Sequence, residues 1–178
     1  GKIKSGGSTL SMQVIRLARK KKQRTFFEKI IELILAVRLE LRYSKYEILC
    51  LYASNAPFGS NVIGIDAASW RYFGRDPEKL SWAEAATLAV LPNAPSLIYP
   101  GKNQNRLLEK RNRLLNQLLH ANIIDSTTCT LSKKENLPGK PHTIPQFATH
   151  LLQRAAMEGS EGKRIRSTLD IHLQQKVN

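Results

Sequence analysis

Residues 24–59 read RTFFEKIIELILAVRLELRYSKYEILCLYASNAPFG, and this stretch decides the fold class. Thr25-Phe26-Phe27-Glu28 has capping-box spacing: the Thr25 hydroxyl can accept the third helical amide while Glu28 reaches back to the start of the turn. A helix is expected from there to about Tyr43. Ser44-Lys45-Tyr46-Glu47 repeats the pattern, with Tyr43 and Ile48 placed as a hydrophobic staple. Gly, Pro and Asn then crowd Ala56–Gly64, the mark of a shaped loop. Within the first helix, Glu32 stands among Ile30, Ile31, Leu33, Ile34 and Leu35. A carboxylate costs free energy to bury unless it is paired. One kept at such a position serves either as a structural ion pair or as a functional group.

Outward from this stretch the chain reads helix after helix. Ile65 to Tyr72 forms a short helix ended by Gly74, and Ser81-Trp82-Ala83-Glu84 is a third capping box whose helix must stop by Pro92. Leu107, Leu108, Leu114, Leu115, Leu118 and Leu119 share one face of another helix, with Lys and Arg on the other. Asp125 to His142 is rich in Ser, Thr, Lys and Pro and reads as a connector after a boundary near Asn122. Pro145 is placed to open a last helix ending at Gly159. Lys163 to Thr168 is the one fair strand candidate. The fold class is therefore all-α.

The 178 residues carry 28 Lys and Arg against 14 Asp and Glu, a formal charge of +14. Such a field draws polyanions: nucleic acid, acidic lipid headgroups or a diphosphate. Basic residues concentrate at Arg16, Arg19, Lys20, Lys21, Lys22 and Arg24, a run that reads as a solvated face, a phosphate-binding element or a membrane-surface patch. Nucleic acid is disfavoured because no aromatics interleave with it and no groove-reading motif is present. Upstream, Gly6-Gly7-Ser8-Thr9-Leu10-Ser11-Met12-Gln13 opens an amphipathic helix. It reads either as an anion-facing helix start or as an ordinary capped loop. Cys50 and Cys129 fit neither a metal spacing nor a disulfide framework. The apolar run Ile30–Val37 is too short to span a bilayer. The chain opens on Gly rather than Met and stops in a helix-like run, LDIHLQQKVN; a window on a longer protein is expected.

GGSTLSMQVIRL (6–17), the stretch quoted above and GIDAASWRYFGRDPEKLSWAEAATLAVLPNAPSLIYP (64–100) together resemble glycosyltransferase family 51. This is the peptidoglycan glycosyltransferase module of class A penicillin-binding proteins, and APFG, AASWRYFG and VLPNAPS most resemble its penicillin-binding protein 1C branch. PQFATHLLQRA (145–155) and RSTLDIHLQ (166–174) resemble that branch's lead-in to a transpeptidase domain. The resemblance implies an all-α, lysozyme-like domain over residues 1–122, lacking the family's first motif. Residues 123–178 would be a linker and the start of the region leading to a penicillin-binding transpeptidase domain.

The implied reaction joins a lipid-linked growing glycan to lipid II. The acceptor 4-hydroxyl attacks the donor's anomeric carbon, inverts it to a β-1,4 bond and expels undecaprenyl diphosphate. The implied place is the periplasmic, outer face of the bacterial inner membrane, with anchoring by a segment outside this chain and other cell-wall synthesis proteins as partners. Glu32 falls on the family's second essential glutamate and is the implied catalytic residue. Ser8, Thr9 and Gln13 match the G-G-S-T-x-x-Q-Q block, whose first Gln is Met12 here, and Arg16 stands where a basic residue follows it. Arg24 and Lys29 match basic positions near the donor diphosphate. Arg42, Ser44 and Lys45 match the RYSK end of the next block. Ser54, Asn55, Gly59 and Asn61 complete the implied substrate-binding set.

The sequence departs from the family at Glu28, where Arg is usual, at Ser54, where Asn is usual, and at Cys50, where Glu is usual. The family's general base belongs to its first motif, expected upstream of Gly6, so this chain alone is expected to be inactive. Glu32 would orient Lys29 or Arg24, or hold a divalent metal, Mg2+ or Mn2+, bound to the diphosphate. No other cofactor is implied. Phe26, Phe27 and the basic run are the candidate membrane-facing surface. Two readings from other classes stand beside the enzyme: a non-catalytic membrane-surface scaffold module derived from it, and a basic helical nucleic-acid binder.

Overall fold

The structure is a computed structural model. It describes residues 7–19, 25–59, 61–93, 95–96, 98–139, 141–143, 148–160 and 165–177. The described residues form helices α1 (Leu10–Ala18), α2 (Phe26–Arg42), α3 (Lys45–Asn55), α4 (Ile65–Phe73), α5 (Trp82–Val90), α6 (Gln104–His120), α7 (Ser126–Lys134), α8 (Thr149–Met157) and α9 (Ile171–Val177). Among them the only β pairing consists of two isolated bridges, Pro57 with Ile63 and Tyr99 with Lys102. The all-α expectation holds. The chain divides into two compact units, residues 1–142 and 143–178.

The helix boundaries follow local chemistry. Thr25 accepts the Glu28 amide at 3.1 Å to start α2. Ser44 with Glu47, and Ser81 with Glu84, form complete capping boxes at α3 and α5. These satisfy amides that a helix start leaves without intrahelical partners. Gly74 in the left-handed conformation closes α4, as glycine does where a side chain would be strained. α5 gives way to a 3-10 turn over Leu91–Asn93, across Pro92.

Two buried clusters hold the first unit together. Phe58, Val62, Tyr72, Leu88, Leu91, Ile98 and Leu107 form the centre of the larger one. Ala86, Leu115, Ile124 and Cys129 form the other. The loop 56–64 folds back on itself through Phe58 N–H to Val62 carbonyl at 2.8 Å and Gly64 N–H to Ala56 carbonyl at 3.0 Å. The buried Tyr72 hydroxyl donates to the Phe58 carbonyl at 2.9 Å, with the Gly59 carbonyl at 3.2 Å beside it. Gly64 has φ +85°, and a Cβ there would lie 2.7 Å from the Ser54 carbonyl oxygen, so α3 and the loop meet backbone to backbone.

Three expectations are corrected, and a fourth falls outside the described residues. Residues 126–134, read as connector, are helix α7, capped by Asp125 and packed on α5 and α6. Arg111 is fully buried on the leucine face of α6, while Leu108 is exposed. Arg111 donates to the Glu135 carbonyl at 2.7 Å and the Lys133 carbonyl at 3.0 Å, satisfying carbonyls that the end of α7 leaves open. Residues 165–168 of the strand candidate lack regular structure, and 163–164 lie outside the described residues. The last helix of this stretch starts at Thr149; Pro145 lies outside the described residues.

Candidate active site

α1 and α2 lie antiparallel, because the residues that join them run in opposite order: Ser11 with Glu40, Arg16 with Glu32, Arg19 with Glu28. All three contacts are polar. The apolar stripe of α2 is turned outward instead, with Phe26 81% and Phe27 72% exposed and Ile30, Leu33, Ile34, Val37 and Leu41 exposed beside them. Glu32 points inward and is 6% exposed, so only it and Ala36 are buried on this helix. This is the reverse of an ordinary amphipathic helix. The exposed stripe includes the two phenylalanines expected to face a membrane.

Arg16 approaches Glu32 side-on, its Nε 2.8 Å from Oε1 and its Nη2 2.6 Å from Oε2. Nη2 also reaches the Ser8 hydroxyl at 3.4 Å. The guanidinium side chain is 32% exposed and the carboxylate 8%. Forked, charge-assisted geometry of this kind fixes orientation as well as adding energy. The hydrogen bond from Arg16 to Glu32 raises the Arg16 pKa, against the smaller lowering effect of burial. The group thus presents its Nε–Nη2 edge to Glu32 while about a third of the side chain stays exposed. Glu32 pairs with Arg16 across the helices; Lys29 is exposed, and Arg24 lies outside the described residues.

The other implied site residues are spread over α1, the ends of α2 and α3, and the loop 56–64. Thr9 caps α1, its hydroxyl accepting the Met12 amide at 3.3 Å, and Gln13 is half-buried one turn on. Arg42 ends α2, exposed. Ser54 and Asn55 are exposed at the end of α3, and the Asn55 side-chain amide donates to the Leu51 carbonyl at 2.8 Å. Ser54 lines a shallow hollow of about 330 Å3 with Tyr43, Tyr46 and Cys50. Gly59 is buried under Tyr99 at φ +91°. Asn61 is exposed in the left-handed conformation. The described contacts therefore bring Ser8, Arg16 and Glu32 together. They do not join Arg42, Ser54, Asn55, Gly59 or Asn61 to that cluster.

Sequence reasoning passed over Arg19 and Glu28 as a pair. Their side chains are 2.6 Å apart. The signal was present: Arg16 and Arg19 are one turn apart, as are Glu28 and Glu32, two complementary rows on neighbouring helices. Both Glu32 oxygens accept from Arg16, and no group of three His, Cys, Asp or Glu suited to a metal occurs among the described residues. No described helix is long and apolar enough to cross a membrane.

The family model described as transglycosylase matches residues 1–119. Penicillin-binding protein 1C of Escherichia coli is 41% identical over 177 residues, 99% of this chain and 23% of that protein. Penicillin-binding protein 1A of Pseudomonas aeruginosa is 35% identical over 189 residues, all of this chain and 23% of that protein. The chain thus spans about a quarter of the length of these curated relatives. A 2.6 Å crystal structure of penicillin-binding protein 1A from Haemophilus influenzae shares the fold, with TM-score 0.53 and 23% identity over 87% of this chain and 20% of that one. The helical architecture and the match over two-thirds of its length lead to one conclusion: this chain belongs to the transglycosylase family.

Proposed function

We propose that the protein containing this chain polymerises lipid II into β-1,4-linked glycan strands, with Glu32 and the groups around it handling the diphosphate of the lipid-linked donor. The observation that carries this reading is the Ser8–Arg16–Glu32 cluster: a buried carboxylate grips a guanidinium along one edge, the Ser8 hydroxyl lies beside it, and the guanidinium side chain stays 32% exposed. Negative charge grows on the departing diphosphate as the glycosidic bond forms. Preorganised donors aimed at that charge lower the barrier most. Glu32 is the group that preorganises Arg16.

Arg24 and Lys29 supply further positive charge in this reading. Thr9 and Gln13 extend the donor side. Arg42, Ser54, Asn55, Gly59 and Asn61 form or shape the surface over which the sugars pass. A Mg2+ or Mn2+ ion, where used, comes with the diphosphate oxygens. The exposed Phe26 and Phe27 beside a basic run suit the outer surface of an anionic bilayer, apolar groups inserting and cations meeting headgroups. Residues 1–122 carry the polymerising function, α7 completes the core of the same unit, and the residues from 143 on lead toward a penicillin-binding transpeptidase domain.

The test is a polymerisation assay of the full-length gene product on lipid II in detergent micelles. Strands and released undecaprenyl diphosphate are the expected products. Absence of both, together with salt-sensitive retention of duplex DNA, would move the protein to the nucleic-acid class.

A further inference from the structure

Arg19 is a second arginine that reaches from α1 to α2. It sits at the end of α1, three residues after Arg16, and its Nε donates to Glu28 Oε1 at 2.6 Å. The two side chains are 25% and 14% exposed, so the pair is shielded but open at one side. The contact follows the neighbouring one at Nε, though without the second bond that Arg16 makes through Nη2. Each arginine of α1 gives its Nε to a glutamate of α2, and the glutamates are one turn apart just as the arginines are. Residues three apart on a helix stand roughly 5–6 Å apart at Cβ. Both guanidinium groups thereby turn Nε to α2 from neighbouring turns at the end of α1. Among the described residues, neither Nη of Arg19 has a described partner.

We propose that Arg19 and Arg16 form a two-guanidinium clamp that takes the two phosphoryl groups of one diphosphate, with Glu28 orienting Arg19 as Glu32 orients Arg16. This rests on the diphosphate reading of the Ser8–Arg16–Glu32 cluster. The four groups sum to zero charge, so the carboxylates serve orientation. The attracting field comes from Lys29 and from the chain's net +14. A planar fork fixed along one edge loses little freedom when its other edge meets phosphate oxygens, whereas a lysine offers only a point charge. Glu28 and Lys29 then act as a pair of opposite kinds, one aiming a cation and one being a cation.

The competing role is a mechanical one: an acid in the first turn of α2 and a base at the end of α1 suit the helix dipoles and hold the hairpin together. The two roles separate in the full-length gene product assayed on lipid II, with inorganic pyrophosphate and, separately, orthophosphate as competitors. The wild type is expected to prefer pyrophosphate. Arg19→Ala should weaken pyrophosphate about tenfold or more, the loss of a charge-assisted contact, and leave orthophosphate within about threefold because Arg16 remains. Arg19→Lys should restore the melting temperature through its charge without restoring pyrophosphate affinity.

Three results overturn the clamp. One is a wild type that does not distinguish the two anions. Another is an Arg19→Ala protein with lowered melting temperature and unchanged pyrophosphate affinity. The third, decisive where the alanine variant does not fold, is an Arg19→Lys protein with wild-type pyrophosphate affinity. Arg16→Ala in the same assay keeps the levels apart. If it loses pyrophosphate while Arg19→Ala does not, only the clamp fails; if neither does, the diphosphate reading of the cluster fails with it.

Discussion

Replacing Glu32 by Gln tests the centre of the site with almost no change of shape. The wild-type carboxylate accepts two N–H groups of Arg16, at 2.8 and 2.6 Å. Glutamine keeps one acceptor, loses the charge and turns an NH2 toward a guanidinium that can only donate. A hydrogen bond to a charged group contributes about 1.5–3 kcal/mol, and breaking a fully buried pair costs about 3–5 kcal/mol. The upper figure does not apply, because the Arg16 side chain is 32% exposed and water can reach the charge left behind. The expected destabilisation is about 2 kcal/mol, or roughly 4–8 °C in Tm for a unit of this size. Turnover should fall further than stability explains, by about 100-fold at a temperature where the variant remains folded, since Arg16 loses the partner that aims it. Calorimetry of the full-length protein gives the first number and lipid II polymerisation the second. A variant with lowered Tm and wild-type turnover would make Glu32 a structural staple. One with wild-type Tm would mean that the carboxylate does not hold the hairpin.

Burial pushes the Tyr72 phenol up from 10.0 to about 12; a folded pKa above the unfolded one gives stability that is complete below pH 10 and lost as pH rises toward 12. Tyr72→Phe should therefore be less stable by about 1 kcal/mol at neutral pH and flatter between pH 10 and 12 in a pH-dependent melt, and equal slopes would refute the assignment. Gly64→Ala places a Cβ 2.7 Å from the Ser54 carbonyl oxygen at φ +85°; a loss of about 2–4 kcal/mol or failure to fold is expected in urea titration, and a loss under about 0.5 kcal/mol would show that α3 and the loop are not closely apposed. Arg111→Leu leaves the Lys133 and Glu135 carbonyls without their donor; about 2–4 kcal/mol should be lost, with α7 exchanging amide hydrogens faster than α5, and uniform exchange across both helices would contradict a local role.

Much of this was legible in the chain because it is decided over four residues. Thr25, Ser44 and Ser81 announce helix starts since a hydroxyl and an amide three positions on are close in any helix. Gly74 and Pro92 announce ends for equally local reasons. Helix α7 inside the connector expected over Asp125–His142 was not legible for the opposite reason: polar composition describes what the residues prefer alone, while packing against α5 and α6 decides what they do. Arg111 was placed among solvated charges because charge type outweighed its position on the leucine face. Only its carbonyl partners across the α6–α7 contact make its burial tolerable.

The sequence alone determined the all-α class, the capped boundaries of α2, α3 and α5, the family resemblance and the presence of one carboxylate in an apolar run. It did not determine which way α2 faces. A helix with an apolar stripe and a lone glutamate can bury either side, and Phe26 and Phe27 were only candidates for an outward, membrane-facing surface. The tertiary structure turns the stripe out and Glu32 in, because α1 crosses α2 in a register that sets Arg16 against Glu32 and Arg19 against Glu28. That register is a relation between residues 9 to 16 positions apart, fixed by how two helices meet. No property of either helix by itself contains it.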